Sequence, residues 1–574
     1  LGRHALLGRL PAVQCACFAY GKRKMHVSSV IYVKICFFLL LLPLWGGESI
    51  LLQRVAIMAE IGFWNLAAKK PDVLALASPD GREWSRGELL AECNRIAHGL
   101  RALGMKEGDV VAAMLPNCGE FLALNLAVGQ SGFYLVPINW HLAGPEVAYI
   151  LQDSEAKVFI CHEQVAEVAA SAIQEADFPA AAAFSLGAVP GARPYEELVA
   201  GQPDTLPKER IGGSVMNYTS GTTGRPKGVR RPLIGLDPDT IGELFTFSLR
   251  IFGIEPEGDG VHIVGSPLYH TAVLVWANAS LQMGHPVVLM AKWDSEEMLR
   301  LSERYRVTHS HMVPTQFRRL LLLPEPVRSR YDLSSLRHMV HAAAPCPPEV
   351  KREMLDWWGP VIYEYYAATE GGGTLVGPEE WLRYPGTVGR PWPEADVKIL
   401  DDDGGELPAG EQGTVYMKLS ATANFEYKGD KEKTSKNRRG DYFTVGDIGY
   451  LNKDGYLFLC DRKIDMIISG GANIYPAEIE NVLIQHPRVA DVAVFGIPHD
   501  DWGEEIKAVV QLDDGSGGSE EMSAEILSFC AERLAKMKLP RSIDYMAELP
   551  RDPNGKLYKR RLRDPYWEGQ ERQV

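Results

Sequence analysis

The sequence predicts an α/β protein whose layered sheets are largely parallel. Three observations lead there. From Trp84 onward, stretches of helical periodicity alternate with short apolar runs of strand length. The 574 residues are enough to bury several cores and so to form more than one domain. No internal repeat or low-complexity tract interrupts the pattern, and the Gly/Ser cluster at 515–519 reads as a short loop. Taken in order, Ser85 and Glu88 make a capping-box pattern ahead of an amphipathic stretch, 89–103, which Gly104 stops. A buried strand at 110–115, a helix at 121–127, a strand at 134–138, a helix at 145–153 and a strand at 158–161 follow.

Composition narrows the function classes. A net charge of −14 argues against a nucleic-acid surface and requires that any anionic ligand be held by local cations and N–H groups. Nine cysteines lie scattered without metal-ligand spacing apart from the close pair Cys15 and Cys17, the pattern of a reduced, cytoplasmic enzyme. Cys346, isolated between prolines, reads as packing rather than as a nucleophile. Near the start, basic residues 22–24 precede an apolar run, 30–45, the outline of a signal peptide or anchor. That run falls short of the roughly 20 residues a spanning helix needs and contains Lys34. Residues 1–57 are therefore expected to be an upstream or dispensable extension, with membrane association only if they belong to the working protein.

The segment YTSGTTGRPKGV, 218–229, is the most informative. Ser220, Thr222 and Thr223 supply hydroxyl donors for phosphoryl oxygens, Gly221 and Gly224 let backbone N–H groups approach, and Lys227 adds a positive charge. It is not a Walker A loop, because Lys227 is followed by Gly228 and the glycine spacing is wrong.

With this loop, and with SPLYHTA (266–272), YYAATEGG (365–372), TVGRP (387–391), FTVGDIGY (443–450), DRKIDMIISGGANIYPAEIE (461–480), PHDDWGEEIKAVV (498–510) and LPRDPNGKLYKR (549–560), the chain resembles the adenylate-forming superfamily of acyl-CoA synthetases, nonribosomal adenylation domains and luciferases. The resemblance implies a large N-terminal AMP-binding α/β domain, 58–460, and a small mobile α+β lid, 461–574. It implies ATP, Mg²⁺ and coenzyme A as co-substrates and cofactor. It gives Glu370 as the Mg²⁺ ligand, a role that suits a hard oxygen donor, and places Thr369 at the α-phosphate. Thr219 and Ala343 join the nucleotide contacts. Tyr366 would stack on adenine, with Ala367 standing where the family commonly has glycine. Asp447 would accept both ribose hydroxyls, and Arg462 would reach the ribose from the junction. Lys556 would bridge the carboxylate and α-phosphate during adenylation. Ser469, Gly470 and Gly471 would flank the pantetheine arm after the lid rotates, and the usual hinge residue is replaced by Ile464.

At the fourth motif, amino-acid-activating relatives carry an aspartate for the substrate ammonium; this chain has Tyr269 and His270, and His270 matches the gate beside the carboxylate in acyl- and aryl-CoA ligases. Pocket walls are expected from 309–317, 340–346 and 371–375, with Met312, Val313, Phe317 and Met339 apolar, Ala342 to Ala344 small, and Gly371 to Gly373 either opening room for a bulky acid or serving a flexible turn. The expected activity is an AMP-forming acyl-CoA synthetase for a medium- or long-chain, or otherwise apolar, carboxylic acid. The alternatives are a fatty-acid transport protein with coupled acylation, an acyl-AMP ligase loading a carrier protein, and a luciferase-type oxidase.

Overall fold

In the computed structural model the described residues are 61–219, 227–368, 371–393, 395–418, 426–427, 437–462, 465–469, 472–499, 502–551 and 557–568. The early elements follow the sequence signals. Ser85 caps the Arg86–Ala102 helix in a reciprocal box with Glu88, and Gly104 follows in the left-handed region at φ 86°. The strands Val110–Met114, Tyr134–Pro137 and Ala156–His162 alternate with the Gly119–Gly129 and Gly144–Ser154 helices. These strands form the centre of a six-stranded, wholly parallel sheet.

A nine-stranded sheet lies beside it, and most of the site's elements belong to it or to its connections. In chain order these are helix α1 (Pro238–Arg250), strand β1 (His262–Val264), helix α2 (Thr271–Met283), strand β2 (His309–Met312), helix α3 (Pro314–Leu321), strand β3 (His338–His341), helix α4 (Pro348–Trp358) and strand β4 (Ile362–Ala368). Strands β1 to β4 are parallel neighbours in that order, so their carboxyl ends share one edge. The core between the two sheets joins Val111, Leu135 and Ile160 to Leu76, Val264 and Leu289. The Gly119–Gly129 helix fills it, with Phe121 to Val128 all buried, as expected of a helix apolar on every side.

Three further sheets complete the described residues, one of them a three-stranded sheet built on the 217–219 and 227–230 strands. The second contains β5 (Asp447–Leu451) paired antiparallel with β6 (Leu457–Arg462). The third belongs to the C-terminal residues: β7 (Ile467–Ser469) pairs with one end of a long ribbon, β8 (Val489–His499) and β9 (Gly503–Leu512). The Pro476–Leu483 and Glu520–Ala531 helices cover it over a core of its own, Ile467, Ile479, Val494, Val510 and Ile526 among others. Among the described residues no helix is long and apolar enough to cross a membrane; residues 1–57 lie outside them.

Candidate active site

The phosphate-loop segment is held as a hairpin. Asn217–Thr219 pairs antiparallel with Lys227–Arg230, and Lys227 lies directly opposite Thr219. The two ends of the loop are thus clamped side by side. Ser220, Gly221, Thr222, Thr223 and Gly224 lie outside the described residues. Tyr218 anchors the base by donating from its hydroxyl to Asp153 Oδ2 at 2.5 Å.

His270, Ala343 and Tyr366 lie near the carboxyl ends of β1, β3 and β4, the edge at which open α/β sheets bind ligands. Ala343 follows β3 in a left-handed conformation, φ 72°, a conformation an alanine holds only at a cost. Tyr366, near the end of β4, donates from its hydroxyl to Asp447 Oδ2 at 2.5 Å. Asp447 is buried and stands directly opposite Arg462 across β5 and β6. Tyr366 and Asp447, named for adenine and ribose, are thus joined directly, and Arg462 is the register partner of Asp447. The direct Tyr366–Asp447 bond was not foreseen, since Tyr366 was assigned only a stacking role. Thr369 and Glu370, which follow β4, lie outside the described residues.

His270 is the N-cap residue of α2, and its ring lies 4.2 Å from that of Tyr269. A cleft opens beside it at Thr271 and follows one face of α2 through Leu274, Val275, Asn278 and Gln282. The opposite wall includes Trp64, Ile241 and Phe245, and none of the described lining residues is charged. Asn125 donates to Asn278 Oδ1 at 3.1 Å partway along. At 1.5 Å per residue, the span from Thr271 to Gln282 is about 16 Å.

Several side chains expected to wall the acid pocket lie elsewhere. Met312, Phe317 and Met339 are buried in a separate core with Met354, Ile362 and Trp381, because their strand and helix faces point toward α4. Nor do Gly372 and Gly373 open a pocket. A Cβ on Gly373 would lie 2.1 Å from the Trp392 ring and 2.6 Å from Tyr366 O, and one on Gly372 would lie 2.6 Å from Met417 Cβ; close packing excludes a side chain there. Cys346 is half-buried and burial pushes its thiol upward, away from nucleophilic use.

Two positioning residues escaped the sequence reading. Asn117 donates to Ser266 O and Met290 O, each at 3.0 Å, and accepts from Leu268 N at 2.8 Å. Gln316 donates to Ser266 Oγ at 3.0 Å and accepts from Val313 N at 3.1 Å. Together they fix the loop that delivers His270. A single polar residue in a loop or at a helix start carries no periodic signal to reveal this.

On the C-terminal side, Ser469 stands opposite Gly503 at the start of β9, and Gly470 and Gly471 lie outside the described residues, as does Ile464. Lys556 does too, but the flanks of its segment, Arg551 and Leu557, are bridged to each other.

Residues 63–424 match the model of the AMP-binding enzyme family, and residues 478–556 that of the AMP-binding enzyme C-terminal domain. The chain is 32% identical over 508 residues to a fatty acid–[acyl-carrier-protein] ligase, ScoC, of Streptomyces coeruleorubidus, covering 86% of this chain and 94% of that protein. It is 34% identical over 484 residues to a long-chain-fatty-acid–CoA ligase, FadD13, of Mycobacterium tuberculosis, covering 83% and 92%. Among solved structures, the anthranilate CoA ligase AuaEII in complex with anthranoyl-AMP superposes with a TM-score of 0.77 at 26% identity, covering 88% of this chain and 96% of that one.

Proposed function

The chain belongs to the AMP-binding enzyme family, and on that premise we propose that it is an AMP-forming acyl-CoA synthetase acting on an apolar carboxylic acid. In the first step an acid carboxylate oxygen bonds to the α-phosphorus of ATP and pyrophosphate leaves; in the second the thiolate sulfur of coenzyme A bonds to the acyl carbon and AMP leaves. Both steps depend on positioning and on charge neutralisation in a water-poor site. We assign Asp447 to the ribose hydroxyls, since a buried ionised carboxylate is an acceptor only, with Tyr366 orienting it and Arg462 beside it. Lys227 and the hairpin hydroxyls would hold the phosphates, Glu370 would hold Mg²⁺, whose chemistry is neutralisation of phosphate charge, and Lys556 would neutralise the reacting carboxylate.

The observation that carries the choice of acid is the uncharged cleft that begins next to His270. An α-ammonium placed there would have no counter-ion, which disfavours an amino acid. Leu274, Ile241 and Phe245 reward an alkyl chain by about 0.8 kcal/mol per buried methylene. The similarity to both a CoA ligase and a carrier-protein ligase leaves the acceptor to experiment. A chain that spends ATP and coenzyme A fits the cytoplasm. The test is acid-dependent pyrophosphate and AMP release over acetate, octanoate, palmitate, benzoate and cholate, with and without coenzyme A. Turnover that requires coenzyme A and rises from acetate to octanoate supports the reading; release indifferent to coenzyme A, or a preference for acetate, refutes it.

A further inference from the structure

We propose that Arg318 is a latch that holds the C-terminal module in the orientation used for adenylation, an inference that rests on the two-step reading above. Arg318 lies one turn into α3, which begins directly after the carboxyl end of β2, at the edge where the site residues gather. Its guanidinium reaches across to the C-terminal module and donates from Nε to Ala490 O at 2.8 Å and from Nη2 to Val489 O at 2.6 Å. A planar fork gripping two successive carbonyls fixes orientation as well as distance.

Which orientation it fixes follows from the ribbon. Val489 and Ala490 sit at the end of β8 that faces Leu512 and Gln511. Next to them, Asp491 receives Arg551 through two bonds, Nε to Oδ2 at 2.5 Å and Nη2 to Oδ1 at 2.7 Å. Leu549 N donates to Gln511 Oε1 at 3.2 Å, tying the same segment to the same end. Arg551 and Leu557 bracket Lys556 in the sequence, so the ribbon end that Arg318 grips is the end to which Arg551, on the flank of the proposed adenylation lysine, is anchored. Ser469 pairs with Gly503, which faces His499 at the opposite end. Asp491 and His499 are eight residues apart on an extended strand, on the order of 26 Å. The module therefore meets α3 through the ribbon end that anchors Arg551, and Ser469 lies at the opposite end of that ribbon. Arg318 stabilises that state through contacts that a rotation bringing Ser469 inward would break, and so acts as a positioning residue for the first half-reaction alone.

The test uses the full chain with Arg318→Ala and Arg318→Lys, and the most active acid of the panel above as probe. Step one is read as acid-dependent exchange of pyrophosphate into ATP. Step two is read as AMP release from purified acyl adenylate and coenzyme A, without ATP. We expect Arg318→Ala to slow step one at least tenfold while step two stays within twofold of wild type or accelerates, and Arg318→Lys to fall between. Arg551→Ala, which frees the same segment from Asp491 without touching Arg318, is expected to slow step one selectively as well. Equal loss in both steps, or no loss in either, overturns the latch. Wild-type protein that exchanges no pyrophosphate removes the functional reading itself, whereas the parallel loss removes only the latch.

Discussion

Lys351→Met removes one half of an ion pair that lies wholly inside the large domain. Lys351 Nζ on α4 donates to Glu364 Oε2 on β4 at 2.6 Å; the side chains are 0% and 8% exposed. The ammonium also sits 4.8 Å from the Trp381 ring centroid. Burial raises the Glu364 carboxyl above its ordinary value, and the Lys351 charge opposes that rise. Breaking such a pair from one side costs about 3–5 kcal/mol, because a charge is left buried without a partner. His341 Nε2 lies 3.4 Å from the same oxygen but is held neutral by burial; by taking up a proton it would soften the loss toward the lower figure. Against a total of about 5–15 kcal/mol, a loss of about 3 kcal/mol is large, and it falls on the strand that carries Tyr366 to the site. The assay is equilibrium denaturation of both proteins at several pH values. A carboxyl raised in the folded state favours folding while protonated, so the variant loses stability relative to wild type as pH climbs from the carboxylate range toward neutrality. Lys351→Met with Glu364→Leu, which removes both charges, should recover at least about 2 kcal/mol. A single variant within about 1 kcal/mol of wild type at pH 7, or a double variant no more stable than the single, refutes the reasoning.

Three further outcomes follow from the same geometry. Asp447→Asn exchanges a charged acceptor for a neutral one; hydrogen bonds to charged groups are worth about 1.5–3 kcal/mol each, so the KM for ATP should rise by at least about tenfold with little change in the KM for the acid. Val275→Phe narrows the cleft one turn from Thr271; each methylene it excludes costs about 0.8 kcal/mol, about fourfold, so palmitate should lose far more kcat/KM than acetate. His262, His309 and His311 are buried and neutral, with burial lowering His262 to about 3, His311 to about 4 and His309 well below normal. The unfolded chain takes up those protons first, so stability present above pH about 6.5 is lost as pH falls below it, on the order of 1 kcal/mol per histidine by pH about 5.5; denaturation midpoints that do not move between those values contradict this.

The fold was legible because its elements are locally consistent. Ser85 and Glu88 form the reciprocal cap that their spacing announced, and the strands around Val110, Tyr134 and Val158 form a parallel sheet as their apolar runs implied. The site was legible wherever a motif fixes a strand end, as with Lys227 facing Thr219 and Asp447 facing Arg462. It was illegible wherever packing between distant segments decides. Met312 and Phe317 have the composition of pocket walls, yet the side of the sheet they point to is settled by α4. Gly373 is glycine because Trp392 occupies the space, and Arg318 matters through carbonyls more than 170 positions away. No spacing rule reaches that far.

The central claim is that the chain joins an apolar acid to AMP and then passes it to coenzyme A. Mass spectrometry of a single turnover tests it most directly: full-length protein in excess over octanoate or palmitate, with ATP and Mg²⁺, before and after coenzyme A is added. The account predicts acyl-AMP and one equivalent of pyrophosphate beforehand, then its conversion to acyl-CoA with release of AMP. An acyl adenylate that persists after coenzyme A is added, or acyl-CoA that forms with ADP and phosphate as the products, would contradict it.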